Sequence, residues 1–175
     1  MRKFIFTFLI LLIFNSCKSQ ESLRNVPVTF QVENSNDNLV KLKKNIATVI
    51  SDGVNETESG YTIIVPKDIK DYSVSINVIP NEIVMEFNHK QKIFITKNYS
   101  SIKEKTLIGL NKNEFISNLI KLNVSSMKLD SELKTLKKDR LFGIRIINEY
   151  LVIYINVKSY KKEQFDKTLE SFELK

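Results

Sequence analysis

This chain of 175 residues has one cysteine, one histidine, no tryptophan, four glycines and three prolines. Each shortage excludes something. A single cysteine, Cys17, has no partner, so no disulfide forms within the chain and no paired-cysteine zinc site exists. With His89 as the only imidazole, HExxH metal binding is excluded, and a Ser-His-Asp triad would depend on that one residue. Four glycines make neither a P-loop nor a Gly-x-Gly-x-x-Gly turn, and no serine lies in a Gly-x-Ser-x-Gly elbow. No acidic Asp-x-Asp-x-Asp loop occurs, so neither a metal nor a cofactor is expected. Few glycines and prolines also imply regular elements joined by short connections.

What is present begins at the N-terminus. Arg2 and Lys3 precede an apolar run, Phe4 to Phe14, broken only by Thr7; Asn15, Ser16 and Cys17 follow, and then polar residues. A cationic start, an apolar stretch and a small residue before a cut are the parts of an export signal. The run is shorter than the roughly 20 residues of a free-standing membrane span. A retained anchor and a plain secreted protein are the other readings of such a segment. Cys17 directly after Ser16 resembles the lipobox of bacterial lipoproteins, in which a cysteine is lipidated and becomes the first residue of the mature chain. Phe14 stands where that family usually has an aliphatic residue. The resemblance implies a signal peptide over 1–16, cleavage between Ser16 and Cys17, a lipidated N-terminus and tether over 17–25, and a cell-envelope protein held by lipid, with the outer membrane as its expected site.

Residues 26–175 are expected to form one α+β domain: an antiparallel sheet, made of a meander and a C-terminal hairpin, with helices packed on one face. Tyr72, Val74, Ile76 and Val78 alternate with polar residues, Glu82–Phe87 and Lys92–Lys97 flank a turn at 88–91, and Tyr61–Val65 precedes them. Val28–Val32 is a further candidate strand. Leu141–Ile147 and Tyr150–Val157 flank Asn148-Glu149; the second is apolar on both sides, with Val157 grouped beside Leu151, Ile153 and Ile155, and so is expected in the sheet interior. The spacing of Leu39, Leu42, Ile46, Val49 and Ile50, with Gly53 after them, predicts a helix. Asn111 and Glu114 form a capping-box pattern ahead of Phe115, Leu119 and Leu122. Leu129, Leu133 and Leu136 predict a short helix, and Phe165, Leu169 and Phe172 a C-terminal one. The segment Gly109–Phe115 resembles the helix opening of BamE-like small outer-membrane lipoproteins, though the chain lacks that family's Gly-x-Pro after the helix. That resemblance implies a protein-binding accessory.

Charge is the remaining signal. Lys and Arg number 27 against 20 Asp and Glu, a balance of +7 that falls to +5 without Arg2 and Lys3. Lys41, Lys43 and Lys44, then Lys134, Lys137, Lys138 and Arg140, then Lys158, Lys161 and Lys162 form clusters. They read either as solvated faces or as attraction to an anionic surface or acidic partner. Nucleic acid does not fit an exported chain. The expectation is therefore a membrane-anchored lipoprotein whose domain binds a protein or envelope component without catalysis. The alternative is an exported hydrolase using a carboxylate pair or His89.

Overall fold

The computed structural model describes residues 30–35, 38–44, 47–51, 54–75, 82–97, 104–124 and 127–175. Ser16, Cys17 and the segments expected to be signal and tether lie outside them, as do Val28, Ile46, Gly53, Ile76 and Val78. The strands are β1 (Phe30–Ser35), β2 (Leu39–Lys44), β3 (Ala47–Ser51), β4 (Val54–Glu58), β5 (Tyr61–Pro66), β6 (Ile69–Ser75), β7 (Glu82–Phe87), β8 (Lys92–Lys97), β9 (Lys105–Leu110), β10 (Leu141–Ile147), β11 (Tyr150–Val157) and β12 (Glu173–Leu174). The α-helices are α1 (Lys112–Lys121), α2 (Met127–Glu132) and α3 (Lys162–Glu170).

A six-stranded sheet runs β6-β7-β8-β11-β10-β9, a four-stranded one β1-β2-β5-β12, and β3-β4 pair as a hairpin. The pairings are antiparallel. The chain is thus α+β with an antiparallel sheet. The β6-β7-β8 meander and the β10-β11 hairpin fall where alternation and turn residues put them. All eight residues of β11 are buried, as its position between β8 and β10 requires.

Two apolar faces follow from this. On one, Ile83, Met85, Ile93, Val152 and Tyr154 pack with Phe165, Leu169 and Phe172 of the C-terminal segment and with Tyr61, Ile63 and Val65 of β5. On the other, Phe94, Phe142, Ile144, Leu151 and Ile153 pack under Phe115 and Leu119 of α1 and Leu129 of α2. The helices are divided between the faces rather than gathered on one. A sheet whose interior strand is apolar on both sides loses stabilisation unless both sides leave water.

Two further expectations change. The helix read over 39–50 is instead β2 and β3. Val40, Leu42 and Lys44 are buried along one side of β2, which lies in register with the buried β5, Val40 opposite Val65 and Leu42 opposite Ile63. Strand pairing overrides a helical spacing that left out Val40. Val157 belongs with Val152 and Tyr154, not with Ile155. Asn156 takes φ 57° within an irregular register that runs from Leu141–Val157 to Gly143–Tyr154, and this bulge turns the next side chain over. Strands β9 and β12 carry weak alternation and were not expected.

Helix α1 starts as predicted. The Asn111 side-chain oxygen accepts from the N–H of Asn113 at 2.9 Å and of Glu114 at 3.0 Å, and the Glu114 carboxylate accepts from the Asn111 N–H at 2.9 Å. Such a cap is worth about 1 kcal/mol. The Gly109–Phe115 segment spans the end of β9 and this capped start. The leucine-marked helix is α2, followed by a 3₁₀ turn over Leu133–Thr135.

Candidate functional site

The turn between β7 and β8 builds the site. His89 and Lys90 both have left-handed backbone, with φ 62° and 63°. Hairpin turns of this hand normally take Asn-Gly, because a side chain there is strained. Gln91, buried behind the turn, holds it: its amide donates to the Asn88 carbonyl at 2.8 Å, and its oxygen accepts from the Lys158 N–H at 3.1 Å.

Beside the turn, Lys92 lies opposite Glu86 across the hairpin. Its ammonium is 2.7 Å from Glu86 Oε1 and 2.7 Å from Glu132 Oε1 at the end of α2. The Thr135 hydroxyl is 2.9 Å from Glu132 Oε2. Asn156 fixes this corner from the sheet, since its oxygen accepts from the Lys137 N–H at 2.9 Å and its amide reaches the Thr135 carbonyl at 3.4 Å. Burial alone would raise the Glu132 carboxyl, but the hydrogen bonds from Lys92 and Thr135 outweigh it and hold the group below its usual 4.5. Burial alone would lower Lys92; its bonds to Glu132 and Glu86 outweigh that and lift it above 10.5.

A cleft of about 410 Å³ opens over these groups, lined by Lys70, Glu86, Asn88, His89, Lys90, Lys92, Glu132 and Thr135, with Phe87 beneath. This falls in the size range of small-ligand sites. Lys70 reaches it from β6, where the register with β7 shifts between Ile69 and Asp71. His89 is therefore at a cleft, with two carboxylates near it that sequence reasoning had not singled out. The Glu86–Lys92 pair was readable from the hairpin register once the turn was placed. Glu132 and Lys70 carried no such signal.

The basic clusters are largely engaged. Lys41 pairs with Glu33 at 3.1 Å, and Lys44 is buried with its ammonium 5.5 Å from the Tyr61 ring centre. Lys161 pairs with Asp68 at 3.1 Å, Lys162 pairs with Asp166, and Lys158 lies over Tyr160. Lys134, Lys137 and Lys138 are exposed. Among the described residues no group of three or more His, Cys, Asp and Glu is placed to hold a metal, and no helix is long and apolar enough to cross a membrane.

A second charged cluster lies on the other face. The Tyr154 hydroxyl donates to Asp166 at 2.6 Å and accepts from the Gly109 N–H at 3.0 Å, and Lys162 pairs with the same Asp166. Burial, with the Asp166 bond adding to it, pushes the phenol well above its ordinary 10. It stays protonated across the working pH range and serves as a fixed link between β11, β9 and α3. No family model, no curated protein and no solved structure matches the chain. The fold and the site thus define an α+β protein with an open, charged cleft at one end of its large sheet.

Proposed function

We propose that this chain is an exported lipoprotein, anchored in the cell envelope through Cys17, whose α+β part binds a partner or envelope component. The observation that carries the anchoring is the order of residues: Arg2-Lys3, the apolar Phe4–Phe14 run, then Ser16 directly before the only cysteine. Acyl chains add about 0.8 kcal/mol per buried CH₂, so two or more hold a protein on a membrane without help from the fold. The expected location is the outer membrane.

The cleft supports binding over acid–base chemistry. A carboxylate pair that cleaves by general acid and base needs one carboxyl protonated at working pH. Here Lys92 lies between Glu86 and Glu132 and favours the ionised form of Glu132. The hydrolase reading keeps one observation in its favour, namely that His89 and both carboxylates line one cleft. It predicts that any hydrolysis by the full chain falls by about 100-fold or more in Glu132→Gln; the binding reading predicts no change.

Anchoring is tested by intact mass and membrane fractionation of wild type beside Cys17→Ala. Lipid mass on a chain starting at Cys17, lost in the variant together with membrane association, is the expected result. Soluble, unlipidated wild type would defeat the anchor.

A further inference from the structure

We propose that the cleft binds a phosphate-bearing ligand, held by the ammonium groups of Lys70 and Lys90 and the imidazole of His89. This deepens the binding reading and needs neither the lipid nor Cys17.

Three features converge. The first is the turn. Two successive non-glycine residues in left-handed backbone are disfavoured by about 1 kcal/mol or more each. Buried Gln91 holds the chain there nonetheless. An Asn-Gly turn would relieve the strain but would remove the imidazole and the ammonium that line the cleft. The second is the irregular register at Lys70. Such bulges re-aim a side chain, and this one lines the same cleft from a neighbouring strand. The third is that these groups are available. Among the described residues, the side chains of Lys70, His89 and Lys90 make no hydrogen bond or ion pair, Lys90 acting on Glu132 only as a more distant charge, and all three residues are exposed. The carboxylates nearby are already engaged. Glu132 uses one oxygen on Lys92 and the other on Thr135, and Glu86 shares the same ammonium.

The donor set points to phosphate rather than carboxylate. Carboxylate recognition favours the planar fork of arginine, and no arginine lines the cleft. Lysine ammoniums are compact point charges that suit a tetrahedral dianion approached from several directions. A free phosphomonoester and a phospholipid headgroup share this chemistry.

His89 is the only histidine, so selective ¹³C labelling gives one imidazole signal in the full chain, purified in a non-ionic detergent. Inorganic phosphate, glycerol phosphate and micellar phosphatidic acid are titrated at constant pH and ionic strength, with chloride as control. A saturable shift is expected with inorganic phosphate and with at least one ester, weakened about tenfold or more in the Lys70→Gln/Lys90→Gln double variant. It should persist in Lys105→Gln, which removes a lysine from β9 at the opposite edge of the sheet. Preference for glycerol phosphate assigns a soluble ligand, and preference for phosphatidic acid a headgroup. No shift, an equal shift with chloride, an equal shift in the double variant, or a response to inorganic phosphate but neither ester (an adventitious ion only) overturns the proposal. A Cys17→Ala protein that is soluble and keeps the shift leaves this site standing whatever becomes of the anchor. An anchored protein without the shift does the reverse.

Discussion

Two clusters of charge lie on opposite faces of the six-stranded sheet, and they use much the same groups to different ends. On one face Lys162, Asp166 and Tyr154 join α3 to β11, while Gly109 supplies a backbone N–H from β9. Tyr154 is fully buried and Asp166 nearly so. On the other face Lys92 holds Glu86 and Glu132, but the cluster forms the floor of an open cleft ringed by Lys70, His89 and Lys90, which make no hydrogen bond or ion pair. The sealed cluster has a partner for each charge, with Tyr154 and Asp166 buried and only Lys162 reaching solvent, so it serves the fold. The open one satisfies its carboxylates and leaves cations over, so it is suited to binding. The difference lies in accessibility and leftover donors, not in residue type.

The largest expected effect breaks the sealed side. Gly143 lies opposite Tyr154, and a Cβ there would overlap the Tyr154 ring and stand 2.8 Å from Leu169 Cδ1. Gly143→Ala should destabilise by about 3 kcal/mol in chemical denaturation. Next, Asp166→Ala should cost about 2 kcal/mol, because the buried Tyr154 hydroxyl loses its acceptor and Lys162 its counter-charge. Neither change should alter phosphate binding at the cleft by more than about twofold in folded protein, since both lie across the sheet.

A smaller effect, with a pH signature, is expected on the open side. Glu132 has a lowered pKa in the folded state, so its stabilisation is full above 4.5 and is lost as pH falls through the folded value. Lys92 has a raised one; its contribution is full below 10.5 and is lost as pH rises through the folded value. Glu132→Gln should therefore cost about 1 kcal/mol at neutral pH, and its difference from wild type should shrink in acid. The smallest effect has the opposite sign. His89→Gly should stabilise by about 0.5–1 kcal/mol by relieving left-handed strain, while weakening phosphate binding. A variant both more stable and poorer at binding would sharpen the contrast between turn strain and fold.

How much of this was legible in the sequence depends on the range of the forces involved. The β10-β11 hairpin was legible because its alternation and its Asn148-Glu149 turn are local. The capping box of α1 was legible because Asn111 and Glu114 satisfy backbone groups within one turn. The stretch 39–50 misled, because its apolar residues fit a helical spacing while β2 pairs with β5, more than a dozen residues away, and β3 pairs with β4. The cleft was half legible. His89 could be placed on a turn, and Glu86 opposite Lys92 follows from the hairpin register. That Glu132 arrives from α2, and Lys70 from an irregular strand, is a matter of tertiary packing.

By itself, then, the sequence determined the alternating strands, the capped helix, the interior character of β11 and the absence of paired cysteines. These rest on period, on turn residues and on composition, which act within a few residues or over the whole chain. Only the tertiary structure decided that the helices divide between two faces, that Val157 turns over at Asn156, and that one set of charges is sealed while the other is open. Those outcomes depend on which distant surfaces leave water together, and no local pattern encodes that.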